Sequence, residues 1–443
     1  MSTDLRSGAP LQIFGGGPGG LAAAYYGVKA GYDLALYEGS GATGGNARTL
    51  KLGDCLFDTG AHRLHDKNPE VTDEIRNLLG SDLMTVNAPS RIHLAGRRLR
   101  FPLQPGDLLR NLPWQKVARI ILERIGRNRD PSPSNFRDWA VDQYGKTLAE
   151  LLLLNYSEKL WGEETGKLSI QIAGGRLRNL DLRAFLRGVL PGDDPRHLDG
   201  AFLYPRHGFG SIFSRVSEEI GSGRIHCENR ITSLKHGEGR IRSFVVNGTT
   251  RVDARTIIST LPLNLTVEIL DPLPPRTILE TARSIRFRKL LLCVFCLKRP
   301  KFSDNASIYF PESEKPFTRL YECKNRSPFV APDDQTAIVL ELPCHETSPY
   351  WQMGEKELLD TVLAALNDVE RVREDEVLNT AVYKLPFAYP ILEVGIEQKV
   401  EELIRYLADF ENFHLLGRNA TFQYLHTHDL FASAKEMVGR IDL

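Results

Sequence analysis

The chain has no run of about 18 apolar residues, so its sequence carries no signal for a membrane-spanning helix. The opening MSTDLRSGAP lacks the apolar core of a secretory signal, and none is expected. Six cysteines lie scattered without the spacing of a disulfide framework, which points to a reducing compartment and a cytoplasmic protein. Net charge is absent too. With 56 basic and 56 acidic residues the molecule does not advertise nucleic-acid binding. Metal-ligand spacings are missing: there is no HxxxH or HExxH, and the single CxxC, Cys293-Val-Phe-Cys296, has no second copy. It also lies inside Leu290 to Leu297, a β-prone run. Residues three apart in a strand point to opposite faces, so the two thiols read as buried strand positions and no metal is expected. Neither internal repeats nor low-complexity tracts occur. What remains is an ordinary globular composition, 42% hydrophobic and 25% charged, spread over 443 residues. That length calls for two or more lobes.

The strongest positive signal is near the N-terminus, in Leu11-Gln-Ile-Phe-Gly15-Gly-Gly17-Pro18-Gly19-Gly20-Leu-Ala-Ala-Ala-Tyr25. An apolar strand runs into GxGxxG and a helix of small residues follows. Tyr32 to Tyr37 reads as the next strand, ended by Glu38. This is the spacing of a dinucleotide-binding βαβ unit. Gly15 permits the tight turn, Gly17 lets the backbone approach a pyrophosphate, and Gly20 lets helix and strand pack closely. The pyrophosphate sits on the helix N-terminus. Glu38, about 20 residues on, suits an unphosphorylated ribose. Past it come Gly44, Gly45 and Arg48, then Phe57-Asp-Thr-Gly60-Ala-His62-Arg63. Gly44 and Gly45 bring backbone N–H groups near a phosphate or a flavin, and Arg48 supplies fixed positive charge there.

Further along, helix-like spacing runs from Asn135 to Lys159. Leu203-Tyr-Pro205-Arg-His-Gly-Phe-Gly210 turns into a helix over Ser211 to Ile220, and a strand series continues to about residue 262. Lys289 to Leu297 and Ala337 to Leu342 are β-prone. Phe413-His-Leu-Leu-Gly417-Arg418 reads as a final buried strand ending at a ligand. The expected fold class is α/β: a discontinuous Rossmann-like cofactor domain (1–90, 201–275 and 396–443), interrupted by a helical substrate lobe (91–200) and an antiparallel-sheet substrate lobe (276–395). Between Arg97 and Arg129 nine basic residues face only Asp107 and Glu123, with Trp114 and several leucines and isoleucines interleaved. A lobe helix with a solvated basic face is the favoured reading; peripheral contact with a membrane is the less favoured one.

These stretches together resemble one superfamily. The second glycine pair with its arginine is similar to the FAD-binding segment of amine oxidases, protoporphyrinogen oxidases and UDP-galactopyranose mutases. Asn135 to Lys146, Asn155 to Gly162, Leu168-Ser169 with Arg176, Tyr204-Pro205, Pro316 to Lys324, Ala388 to Pro390 and Gly417 to Tyr424 resemble bacterial members of the protoporphyrinogen-oxidase-like and mutase-like groups. The resemblance implies non-covalent FAD, held by the glycines of both loops, Pro18, Glu38, Arg48 and Gly60, with the backbone near Ile231 and with Gly417 and Arg418. His62 resembles a histidine that borders the flavin. The same resemblance places Arg319 beside flavin and substrate. Arg176 and Arg178 are further guanidiniums that could clamp a diphosphate or carboxylate. Tyr156, Trp161, Tyr389 and Tyr424 could form an aromatic wall, core packing being the other reading of Trp161.

The chain departs from the mutase pattern after Tyr424. Where the mutases carry acids it has His426 and His428. An imidazole there could act as a base. The expected function is therefore an FAD-dependent oxidoreductase that oxidises or desaturates a small or glycosylated metabolite by hydride transfer to flavin N5, with His426, His428 and Arg319 as catalytic candidates. A redox-neutral nucleotide-sugar mutase is the second reading, and a non-catalytic nucleotide-binding scaffold the third.

Overall fold

The computed structural model describes residues 10–94, 96–101, 105–125, 132–173 and 201–441. The N-terminal motif folds as its spacing requires. Strand β1 (Leu11–Phe14) leads through the glycines into helix α1 (Pro18–Lys29), and strand β2 (Leu34–Tyr37) returns parallel to β1. Both strands are buried along their whole length, as a parallel sheet covered on two faces demands. The one polar side chain of β1, Gln12, is satisfied. Its amide donates to the Asp253 carbonyl at 2.9 Å and its oxygen accepts from the Arg255 amide at 2.8 Å.

This sheet has five parallel strands in the order Phe413–Leu415, Thr256–Ser259, β1, β2, Ile225–His226. Its strands come from three well-separated stretches of chain, so the Rossmann-like fold is assembled discontinuously. On one face α1 packs with helices Ser211–Ile220 and Thr427–Arg440 around Ala22, Ala23, Phe213 and Phe431. The other face is covered by an antiparallel meander, Ile231–Gly237, Arg240–Val246 and Thr250–Asp253, through Leu234 and Phe244.

The second large sheet has seven strands in the order Val377–Pro390, Phe287–Leu297, Thr336–Cys344, Arg319–Glu322, Ser307–Tyr309, Ser90–Leu94, Arg97–Phe101. Its middle is apolar on both faces. Cys293 packs into one core and Cys296 into another, so the CxxC cysteines do point apart.

The stretch from residue 91, expected to open a helical lobe, starts differently. Ser90–Leu94 and Arg97–Phe101 form a hairpin, and Ser90–Leu94 joins the seven-stranded sheet parallel to Ser307–Tyr309. The physical reason is a period of two: Arg98 and Arg100 are exposed, Leu99 is buried and Phe101 half-buried between and beyond them. Arginines on the last strand also guard an open edge. Helices follow at Pro105–Asn111, Trp114–Ile125 and Phe136–Tyr144. From Lys146 to Trp161 the chain stays helical through a π-helical turn at Glu150–Leu154. Such a turn rotates the helix beyond it and occurs often at functional sites. Here it sets the direction of the segment carrying Tyr156 and Trp161. Among the described residues no helix is long and apolar enough to cross a membrane.

Candidate functional site

Three backbone loops converge on the N-terminus of α1. Gly15 has φ +92°, and a Cβ there would meet Thr260 Oγ1 at 2.3 Å. That hydroxyl donates to the Phe14 carbonyl at 2.8 Å and so locks the turn. A Cβ on Gly20 would lie 1.9 Å from the Gly15 carbonyl oxygen, so only glycine lets helix and strand close. A Cβ on Gly45 would sit 3.0 Å from Gly17 Cα, and one on Gly19 would sit 3.3 Å from Gly417 Cα. No side chain caps α1, and Pro18 occupies its first turn. The cradle therefore presents the N–H groups of the helix's first turn and its positive dipole end, uncapped by any side chain among the described residues.

Glu38 closes the far end. Its Oε2 accepts from the Gly16 amide at 2.6 Å and its Oε1 from the Ser40 amide and hydroxyl at 2.7 Å each. The loop before Ile231 runs alongside, with the Asn229 amide donating to the Glu38 carbonyl at 2.8 Å. Ile231 itself turns its side chain into the core, so only its backbone faces this end of the cradle. Two cations complete the site. Arg48 Nε is buried without a hydrogen-bond partner among the described residues, and so are Nε and Nη2 of Arg418. Buried guanidinium N–H groups left unpaired are costly, and they fit an anionic ligand that supplies acceptors.

His62 lies where the cradle meets the second sheet. Gly60 makes room for it: a Cβ there would press on His62 Nε2 at 2.8 Å. The ring stacks on Phe209 with centroids 5.0 Å apart, and Nε2 lies 3.0 Å from the Asn46 carbonyl. A carbonyl only accepts, so Nε2 carries the proton. Burial lowers the His62 pKa well below the usual imidazole range; the Asn46 bond opposes this, and Arg326, Arg319 and Arg418 add to it. His62 is neutral at pH 7.

Arg418 bridges from the cradle to an aromatic wall. Its guanidinium lies 4.2 Å from the Tyr424 ring centroid and 5.1 Å from that of Tyr389. Tyr389 and Tyr424 stack at 6.2 Å, and the Trp161 edge meets both, at 6.1 and 6.2 Å. Behind the wall a lateral row crosses three strands. Tyr309 is directly opposite Arg319, and Arg319 is directly opposite Glu341. Glu341 takes both Nε (2.9 Å) and Nη2 (2.7 Å) of Arg319. Tyr156 packs edge-on against Tyr309 at 6.0 Å. Burial opposes the Arg319 charge, but Glu341 together with Tyr309, Tyr389 and Tyr156 outweighs it and holds the pKa well above the ordinary value. Burial raises the Tyr156 and Tyr389 phenols, so both are proton donors at neutral pH.

The flavin containing amine oxidoreductase family model matches residues 18–390, most of the chain. The chain belongs to that family. Among solved structures it is similar to a reduced UDP-galactopyranose mutase, 19% identical, over 97% of this chain and 94% of the other, with TM-score 0.85. It is also similar to a putative protoporphyrinogen oxidase from Exiguobacterium sp. 255-15, 19% identical, over 98% of both chains, with TM-score 0.77. A putrescine oxidase with a redesigned cofactor site matches at 17% identity, over 97% of this chain and 98% of that one, with TM-score 0.67. At these identities the likeness is one of fold.

The uncapped helix end and the unpaired arginines fit the flavin nucleotide that this family implies. The remaining site residues fall unevenly around it. Arg319 gives its Nε/Nη2 edge to Glu341, so the N–H groups left for a ligand are the two on Nη1 and the second one on Nη2. Arg176 and Arg178 lie outside the described residues. The two histidines stack with ring centroids 5.7 Å apart but differ in exposure. His426 is the N-cap of helix Thr427–Arg440 and is exposed, its ring edge-on to Tyr424 at 5.6 Å. His428 is inside that helix's first turn and buried, with Nε2 3.2 Å from Asp429; burial lowers its pKa. The Asp429 carboxylate accepts from the His426 amide at 2.8 Å and fixes the start of that helix.

Sequence reasoning missed Tyr309 and Glu341. A signal existed for Glu341: it is the lone charge in Thr336-Ala-Ile-Val-Leu-Glu-Leu-Pro-Cys344, and a buried strand acid requires a partner. It also missed the role of Asp58. This fully buried carboxylate accepts from Thr49 Oγ1 (2.6 Å), Tyr204 OH (2.5 Å) and the Phe209 amide (2.9 Å). Its backbone carbonyl accepts from Tyr321 OH at 2.5 Å. Asp58 thereby ties the Tyr204-Pro205 turn to the flavin-side loop and to the second sheet. No cluster of His, Cys, Asp and Glu suited to a metal occurs among the described residues.

Proposed function

We propose that this chain is an oxidoreductase with non-covalently bound FAD that oxidises or desaturates a small polar or glycosylated metabolite. The observation that carries this reading is Arg418. Its backbone neighbour Gly417 touches the cradle at Gly19, while its guanidinium lies on Tyr389 and Tyr424 of the aromatic wall. One residue thus joins the nucleotide site to the wall, and a substrate held there is next to the cofactor.

Bound FAD supplies a two-electron acceptor at N5; the protein positions, shields and moves protons. Gly15, Gly17, Gly19 and Gly20 leave room for the pyrophosphate, Glu38 receives ribose hydroxyls, and Arg48 and Arg418 donate to anionic oxygens. Trp161, buried in the lobe core as its other reading had it, backs Tyr389 and Tyr424, which present ring faces to a flat or sugar ring. Arg319 Nη1 and the protonated phenols of Tyr156 and Tyr389 donate hydrogen bonds to its oxygens. His426, exposed beside Tyr424, would take a proton from the substrate's O–H, N–H or neighbouring C–H bond while the carbon being oxidised gives up its hydride to the bound FAD. His428 is too deeply packed for that task. Six unpaired cysteines support a cytoplasmic setting.

Purified protein tests the proposal. It should carry FAD released intact by denaturation. Anaerobic mixing with sugars, amines and glycosylated metabolites should bleach the oxidised flavin with one compound class. Isomerisation of a UDP-sugar by dithionite-reduced protein, with no net electron flow, would replace this reading by the mutase one. Protein purified free of flavin and unable to bind it would leave only a scaffold.

A further inference from the structure

Large exposed hydrophobic side chains are concentrated on two consecutive helices outside the flavin site. On Pro105–Asn111 Leu109 is 60% exposed, and on Trp114–Ile125 Trp114, Ile121 and Leu122 are 74%, 52% and 69% exposed. The helices are anchored from their other sides. Leu108 is buried, Ile120 packs on the lobe core, and Glu123 accepts from the Thr147 amide at 2.8 Å and hydroxyl at 2.7 Å. Trp114 and Ile121 are seven residues apart and share the outer face. Arg110, Lys116 and Arg119 are exposed around it. Both acids of the segment are engaged: Glu123 bonds Thr147 and lies 3.7 Å from Arg119, and Asp107 accepts from the Arg100 amide at 2.9 Å, which leaves Arg110 and Lys116 as the unneutralised cations of the rim among the described residues. The result is an apolar centre with a basic rim.

We propose that this face docks on an anionic lipid bilayer, both helices lying in the headgroup layer with Leu109, Trp114 and Leu122 inserted. Indole favours the membrane–water interface, and lysine and arginine beside inserted apolar groups draw negatively charged lipid. The helices have seven and twelve residues, too short to span, so they lie in the plane. The segment is fastened to the helical run that carries Tyr156 and Trp161, so docking sets the lobe that bears these residues against the membrane.

The test is cosedimentation of the full-length flavoprotein with vesicles of equal parts phosphatidylcholine and phosphatidylglycerol, and with phosphatidylcholine alone. Binding should be on the order of tenfold stronger to the anionic vesicles and fall with added salt. Trp114→Ala/Leu122→Ala and Arg110→Glu/Lys116→Glu should each weaken it about tenfold, with flavin spectrum and melting temperature unchanged. Equal binding to both vesicle types, or binding indifferent to both double substitutions, overturns the proposal. So does a concentration-dependent dimer, dissociated by Trp114→Ala/Leu122→Ala in a protein that ignores vesicles, since the face would then belong to a second copy of the chain.

Discussion

Separating Arg319 from Glu341 should destabilise the protein unequally from the two sides. The pair is bidentate, at 2.9 and 2.7 Å, but its members differ in burial: the Glu341 side chain is 1% exposed and that of Arg319 19%. Breaking a buried pair by removing one partner costs about 3–5 kcal/mol. Arg319→Met strands a carboxylate that has no route to water, so it belongs at the top of that range. Glu341→Gln leaves a cation that retains some exposure and one amide acceptor, so the cost is about 1–2 kcal/mol, near that of a lost charged hydrogen bond. In Arg319→Met the stranded Glu341 takes a raised folded-state pKa. Stability is then intact below the unfolded value of about 4.3 and is lost as pH rises through the folded one. Urea unfolding from pH 4 to 8 should therefore show the Arg319→Met deficit growing with pH, while Glu341→Gln stays flat. Arg319→Met/Glu341→Leu, which removes both charges, should recover most of the loss. A deficit under about 1 kcal/mol for Arg319→Met, or one independent of pH, refutes the argument.

Gly20→Ala should abolish flavin incorporation, because its Cβ would lie 1.9 Å from the Gly15 carbonyl; the absorbance ratio of purified protein measures this. His426→Gln should remove the acidic limb of the pH–rate profile near pH 6–7 and leave the flavin spectrum intact, whereas His428→Gln should leave the limb in place. A limb that survives His426→Gln rules out the base. The protein should lose stability between pH 7 and pH 5, because burial lowers the pKa of His62, His414 and His428 and the unfolded chain takes up protons first. Each contributes at most about 2 kcal/mol at pH 5. His62→Gln should flatten that slope in urea titrations at the two pH values.

The cradle was legible in the sequence because its constraints are local. Gly15, Gly17, Gly20 and Glu38 act within one βαβ unit, where a missing Cβ or a terminal acid has a fixed meaning. The aromatic wall was legible only through resemblance, since spacing alone does not bring Trp161 to Tyr389 and Tyr424. The hairpin at 90–101 was misread because its arginines were counted for charge rather than for their alternation with Leu99 and Phe101. For His426 and His428, two residues apart, a helix start decided that one is exposed and the other buried.

By itself, then, the sequence determined the nucleotide motif, the buried parallel strands and the opposed faces of Cys293 and Cys296, all of which derive from backbone geometry over a few residues. Tertiary structure alone decided that Glu341 occupies Arg319, that Asp58 ties three segments together and that Arg418 spans cradle and wall. These depend on strand register and on which loops meet, set by packing between segments far apart in the chain. A charge alone in an apolar strand announces that a partner must exist; only the fold says which one it is.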